Sequence, residues 1–129
     1  MVCLKMKEYP KILGSHGAET LPCIAFDKLD GSNLRFEYNQ KSGSYKFGTR
    51  RRLFDHTDPE YGCAIDVFLR KYGDSLIKVI KENPKYKKAE SLIAYAEFFG
   101  AKSFAGQHEL DDPKDVVLFD INIHKKGFV

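Results

Sequence analysis

The sequence predicts an α+β domain in which antiparallel strands carry helices packed outside them. Three observations lead there. Apolar residues alternate at Leu34, Phe36 and Tyr38 and again at Tyr45 and Phe47. Between these runs lies Asn39-Gln40-Lys41-Ser42-Gly43, the composition of a hairpin turn. A helical stripe of Ile65, Phe68, Leu69, Leu76, Ile77, Val79 and Ile80 fills the middle of the chain, and two apolar runs near residues 91–100 and 114–123 read as strands.

In chain order, residues 1–20 form a loose lead-in with Tyr9-Pro10 and a Gly14-Ser15-His16-Gly17 loop. Leu21-Pro22 opens a strand in which Ile24 and Phe26 alternate into the turn Lys28-Leu29-Asp30-Gly31-Ser32-Asn33. Gly31, flanked by Asp30, Ser32 and Asn33, supplies the turn chemistry. Lys28 therefore ends an apolar strand, an expensive place for an ammonium group unless something uses it. A lysine amine becomes a good nucleophile once its pKa, ordinarily about 10.4, is lowered by roughly 2–3. Burial and the Arg35 cation push that way, and Asp30 pushes back. The plainer reading is a surface Lys-x-Asp ion pair at a hairpin.

After the Tyr45-Lys46-Phe47 strand comes Gly48-Thr49-Arg50-Arg51-Arg52-Leu53, the densest positive charge in the chain. It reads either as a solvated basic strand edge or as a contact for phosphate and ribose. Asp58 is the expected N-cap of the first helix, with Pro59 in its first turn. Gly73-Asp74-Ser75 breaks or caps that helix, a second helical segment follows, and Asn83-Pro84 ends it. Lys78, Lys81, Lys85, Lys87 and Lys88 decorate the exit, as a solvated face or as a track for a nucleic-acid backbone. In the run 91–100, Glu97 is one carboxylate among apolar residues and needs a partner, a function or an outward-facing position. Residues 101–113 are a polar loop, and Lys125-Lys126-Gly127 is a turn.

Composition bounds the class. The 129 residues make one domain, and 43% hydrophobic with 13% aromatic content is globular rather than disordered. A net charge of +3 permits a polyanionic partner without demanding one. No membrane span or signal peptide is visible. The three cysteines, Cys3, Cys23 and Cys63, form neither a disulfide framework nor a metal pair, which suits an intracellular setting. The four histidines show no ligand spacing.

The stretch Lys28-Leu29-Asp30-Gly31-Ser32-Asn33 resembles the nucleotidyl-transfer motif of ATP-dependent ligases and capping enzymes, and its Gly-Ser-Asn ending looks most like phage-type RNA ligases that seal nicks. Three later segments fit in order: Thr49-Arg50 after the hairpin, Ala96-Glu97 with Gly100 closing, and Val116 through Phe119-Asp120-Ile121. The likeness spans residues 21–123. It implies a nucleotidyltransferase fold with sheets around a nucleotide cleft. Lys28 would take AMP from ATP, with magnesium or manganese offsetting charge, and the adenylate would pass to the 5′-phosphate of nicked RNA or an RNA/DNA duplex for joining to a 3′-hydroxyl. It further implies that Asp27 lies near the adenine amino group, Asn33 near ribose and phosphate, and Arg50 and Glu97 on the ribose, with Asp30 and Gly31 in the turn. Arg51 and Arg52 would be left for substrate phosphates. Val116 stands where the family usually stacks an aromatic on the base, and Ala96 replaces a glycine. Two later motifs, a Glu-Gly pair and a Lys-x-Lys strand, have no counterpart in the 129 residues, so the resemblance implies a partial adenylyltransferase domain. A DNA ligase, a capping guanylyltransferase and a nucleic-acid-binding fragment without turnover are the competing readings.

Overall fold

The computed structural model describes Tyr9, Pro22, residues 31–100 and residues 113–129. In chain order its elements are β1 (Ser32–Asn39), β2 (Ser44–Gly48), β3 (Leu53–Phe54), α1 (Gly62–Phe68), a π-helical turn (Leu69–Gly73), α2 (Asp74–Glu82), β4 (Ser91–Phe99), β5 (Asp115–Ile123) and β6 (Gly127–Phe128). The strands form one sheet in the order β3-β2-β1-β4-β5-β6, and every neighbouring pair is antiparallel. The α+β class is as the sequence predicts, with a single sheet among the described residues. The strand expected around Ile24 and Phe26 lies outside them.

Alternation builds the first hairpin. Leu34, Phe36 and Tyr38 are buried, and Phe36 and Tyr38 pair with Phe47 and Tyr45 across β2. Asn39 accepts the Gly43 N–H on its carbonyl and the Ser42 N–H on Oδ1, and Gly43 takes the left-handed φ of 66° that closes the turn. The arginine run is a turn rather than a strand edge. Thr49 N–H donates to the Arg52 carbonyl, and Thr49 Oγ1 accepts the Arg51 and Arg52 N–H groups. That local bonding reverses the chain and produces the short strand β3, which the sequence pattern did not suggest.

Asp58 caps the helical region as expected, although regular α-helix begins only at Gly62. Its Oδ1 accepts the Glu60 and Tyr61 N–H groups, and its carbonyl accepts the Gly62 N–H. The break expected at Gly73 does not occur. Gly73 (φ −52°, ψ −56°) and Asp74 (φ −69°, ψ −37°) are both helical, and the π-turn joins α1 to α2 in one run. The apolar spacing explains the wide turn. Phe68, Tyr72, Leu76 and Ile80 recur every four residues, a row that drifts about 40° per step in a 3.6-residue helix. A π-turn holds more residues and takes back part of that drift, so both ends of the row meet the sheet.

The helical run covers one face of the sheet. Leu34, Phe36, Leu92, Ala94, Ala96, Phe98 and Val116 form a core with Ala64, Phe68, Leu76 and Ile80. Phe68 stacks on Phe36 with ring centroids 3.8 Å apart and planes within 3°. Tyr45 donates its hydroxyl to the Gly73 carbonyl at 2.9 Å, and Lys71 Nζ reaches Asp115 Oδ1 and the Val116 carbonyl at 2.9 Å each. These bonds tie the helical run to β2 on one flank of the central strands and to β5 on the other. No described helix is long and apolar enough to cross a membrane.

Truncating Phe68 to alanine removes the stacked ring from a wholly buried site, and the expected cost is about 3–5 kcal/mol. Urea unfolding should show it as a lower midpoint. Val79→Ala, on the exposed side of α2, should cost under about 0.5 kcal/mol.

Candidate functional site

Sheet register assembles the polar face opposite the helices. Asn33 pairs with Glu97, Arg35 with Tyr95 and Glu37 with Ile93 across β1 and β4. β5 adds Val117 opposite Glu97, Asp120 opposite Tyr95 and Asn122 opposite Ile93. Directly paired residues on one face have Cβ atoms about 4.5–5.5 Å apart, so Asn33 and Glu97, 64 positions apart in the chain, are neighbours. Arg35 is buried at 3% exposure and donates from Nη2 to the Thr49 carbonyl. Ser32 Oγ, Asn33 Oδ1 and Asn122 Nδ2 are buried without a hydrogen-bond partner among the described residues. Each such atom costs about 1–3 kcal/mol, so a ligand hydroxyl or amide at Asn33 gains more there than at a satisfied site, whereas Ser32, paired with Phe98, faces the helix side.

Gly31 ties the turn motif to the same place. A Cβ on Gly31 would stand 2.2 Å from the Phe98 carbonyl oxygen and 2.9 Å from Phe99 Cβ. The glycine of Lys28-Leu29-Asp30-Gly31 is thus required because the chain presses against β4, one residue past Glu97. Asp27, Lys28 and Asp30 themselves lie outside the described residues.

The three arginines separate in role. Arg50 is exposed and sits two positions beyond Gly48, the β2 partner of Arg35, at the same end of the sheet as Asn33. Arg51 is also exposed. Arg52 bonds through Nη1 to Asp58 Oδ2 and lies 5.7 Å from the centre of the Tyr61 ring. That bond raises the Arg52 pKa and holds the Asp58 carboxyl below its usual range. Arg52 thereby clamps the arginine turn to the cap of the helix and is not free for a substrate phosphate, the role expected of it with Arg51.

Val116 is not brought to the group. It is wholly buried on the helix side, where its carbonyl accepts from Lys71. The two-residue period of a strand puts Val117 on the face of Glu97 instead. The register of β5 then shifts: Tyr95 pairs with Asp120 but Ala96 with Leu118, leaving Phe119 unpaired at a bulge. Phe119 is 45% exposed, and its ring lies 5.2 Å from Tyr9. Tyr9 also packs edge-on to Tyr95 at 4.9 Å and donates its hydroxyl to Asp120 Oδ2 at 2.8 Å. Sequence reasoning left Tyr9, Tyr95 and Phe119 out of the site. Their signal was the aromatic pattern itself, which cannot say which face a ring covers.

Burial dominates the electrostatics of this face. It pushes the Tyr95 phenol up to about 12, with Arg35 opposing and Asp120, Glu37 and Tyr9 adding to the rise. The Tyr9 phenol is also raised, by burial and by its bond to Asp120. Among the described residues, no three His, Cys, Asp or Glu side chains are grouped to hold a metal ion. The chain matches no protein-family model, and no curated protein is significantly similar to it.

A phenol whose folded pKa exceeds its unfolded value of about 10 stabilises the fold fully below that pH. The contribution is lost as pH rises from there through about 12, the value for both Tyr45 and Tyr95. Ultraviolet absorbance of tyrosinate during an alkaline titration should show these two phenols ionising later than exposed ones. Tyr95→Phe should flatten the loss of stability above pH ~10, and equal loss in both proteins would contradict the assignment.

Proposed function

We propose that this chain forms the nucleotide-binding part of an ATP-dependent ligase of the RNA nick-sealing type. The observation that carries the reading is the pairing of Asn33 with Glu97 beside the tight contact of Gly31 on β4. Two segments that the resemblance assigns to nucleophile and ribose, far apart in the chain, meet at one end of one sheet face. Buried Asn33 Oδ1, an acceptor without a described partner, fits a ribose hydroxyl. Glu97 accepts a second hydroxyl from the neighbouring strand. Phe119 and Tyr9 take the place of the missing aromatic at Val116 and offer ring surface to a base.

In the first step Lys28, deprotonated to the free amine, attacks the α-phosphorus of ATP. A P–N bond forms, the P–O bond to the β-phosphate breaks, and pyrophosphate leaves with the electron pair. The amine gives up a second proton to become the neutral phosphoramidate nitrogen. Arg35, buried on this face, favours the uncharged amine before attack and offsets phosphate charge during it. A divalent ion, magnesium or manganese, would be carried by the substrate's phosphates and supply further charge neutralisation. The 5′-phosphate of a nicked RNA strand then displaces Lys28 from AMP, and a 3′-hydroxyl displaces AMP in turn. Lys125 and Lys126 sit in a turn at the other end of β5, so they do not stand in for the Lys-x-Lys pair, and adenylation by the chain is slow.

The test is transfer of label from α-labelled ATP to the protein. A slow, acid-labile label, absent in Lys28→Arg and reduced about tenfold in Glu97→Ala, is the expected result. Label retained in Lys28→Arg would sink the reading, as would the absence of both label and saturable ATP binding.

A further inference from the structure

The end of the sheet farthest from Asn33 and Glu97 carries a second feature. Two loops, 83–90 after α2 and 124–126 after β5, meet over a groove of about 620 Å³. Lys85, Lys87, Lys88, Lys125 and Lys126 line it. All five are exposed, and none is held in an ion pair with a described residue. The one carboxylate among the described residues lining the groove, Glu90, leans to His124 Nδ1 at 3.7 Å rather than to a lysine. We infer that this groove binds the phosphate backbone of a nucleic acid.

A solvated lysine face asks nothing of its backbone, but these loops are pinned. Asn83 accepts the Lys85 N–H on Oδ1 and the Tyr86 and Lys87 N–H groups on its carbonyl. Gln40, from the β1–β2 hairpin, donates its side-chain amide to the Lys87 and Ala89 carbonyls and its backbone N–H to Glu90. His124 N–H is held by the Ser91 carbonyl at 3.0 Å. At the tip Lys125 takes a left-handed φ of 61°, where glycine or asparagine is the low-cost choice. Two cationic loops are thus held facing one groove, with five lysines set against the single described carboxylate of Glu90.

The spacing selects the partner. A single small anion is held by converging, buried donors, whereas these cations are exposed and spread over two loops. A membrane surface is met by cations flanking apolar or aromatic wedges, and among the described residues the only apolar ones lining this groove are Pro84 and Ala89. Repeated phosphates along a strand fit separate lysines, each releasing counterions. The inference does not rest on the nucleotidyl-transfer reading, because the groove lies at the opposite end of the sheet from that site.

The test is fluorescence anisotropy of a labelled RNA duplex against salt concentration. For five phosphate contacts the slope of log K against log salt should include about −4.5 from the groove. Lys85→Gln/Lys87→Gln/Lys88→Gln should make the slope shallower by about 2–3, and Lys125→Asn/Lys126→Gln by about 2. Asparagine is chosen at position 125 because it tolerates the left-handed backbone, and thermal melts confirm that each variant folds. Arg70→Gln/Lys114→Gln, a charge-matched change at the other end of the sheet, should leave the slope nearly as it was. An unchanged slope in both groove variants would overturn the inference. So would binding of phosphatidylserine vesicles that the groove variants lose while their RNA binding persists. ATP labelling should be the same in wild type and groove variants, which separates this result from the fate of the adenylation reading.

Discussion

The register between β1 and β4 is the constraint on which the rest of the molecule depends. Eight residue pairs run from Ser32 opposite Phe98 to Asn39 opposite Ser91. Side chains alternate faces with a period of two, so a slip of one residue would carry Leu34, Phe36 and Tyr38 away from the helices and put Asn33, Arg35 and Glu37 against them. Burying each large apolar side chain contributes about 1.5–3 kcal/mol, and the helix-side core contains many. The hydrophobic face therefore fixes, as a consequence, which polar groups meet on the other one. Asn33 and Glu97 are neighbours because Leu34 and Ala96 are.

That division of labour explains how the polar face tolerates its own cost. Arg35 is an arginine with almost no exposed surface, and several polar atoms around it lack described partners. Such a face does not form for its own stability. It is carried by the core beneath it, and by the Lys71, Tyr72 and Tyr45 bonds that join helix to sheet. The close contact of Gly31 with Phe98 sets the start of β1 against the strand that carries Glu97, and the lack of a side chain at Gly31 is what permits it.

Much of this was legible in the sequence. The alternating runs at Leu34-Phe36-Tyr38 and Tyr45-Phe47 mark β1 and β2, the apolar runs mark β4 and β5, and Asp58 marks the approach to the helix. The misreadings have physical causes. β3 and β6 are two residues each, too short for alternation to register, and exist because Thr49 and the Lys125–Gly127 turn reverse the chain locally. Gly73 looked like a break because glycine is a poor helix former, but the four-residue apolar spacing around it favoured a π-turn over an interruption. Glu97 was flagged by its charge within an apolar run. Val116 was placed by motif position, and only the register shows that its neighbour Val117 shares the face of Glu97. The burial of Arg35, which lies between the alternating apolar residues of β1, was not legible, because a sequence cannot show what covers a face.

The most direct measurement of the central claim is a titration of isotope-labelled protein with ATP, followed by amide chemical shifts. The account predicts saturable shifts at Asn33, Arg35, Glu97 and Val117, the residues that the β1–β4–β5 register sets on one face. Amides of Ile65, Leu76 and Ile80, buried under the helices, should stay in place. Shifts confined to the helical side, or none at saturating ATP, would contradict it.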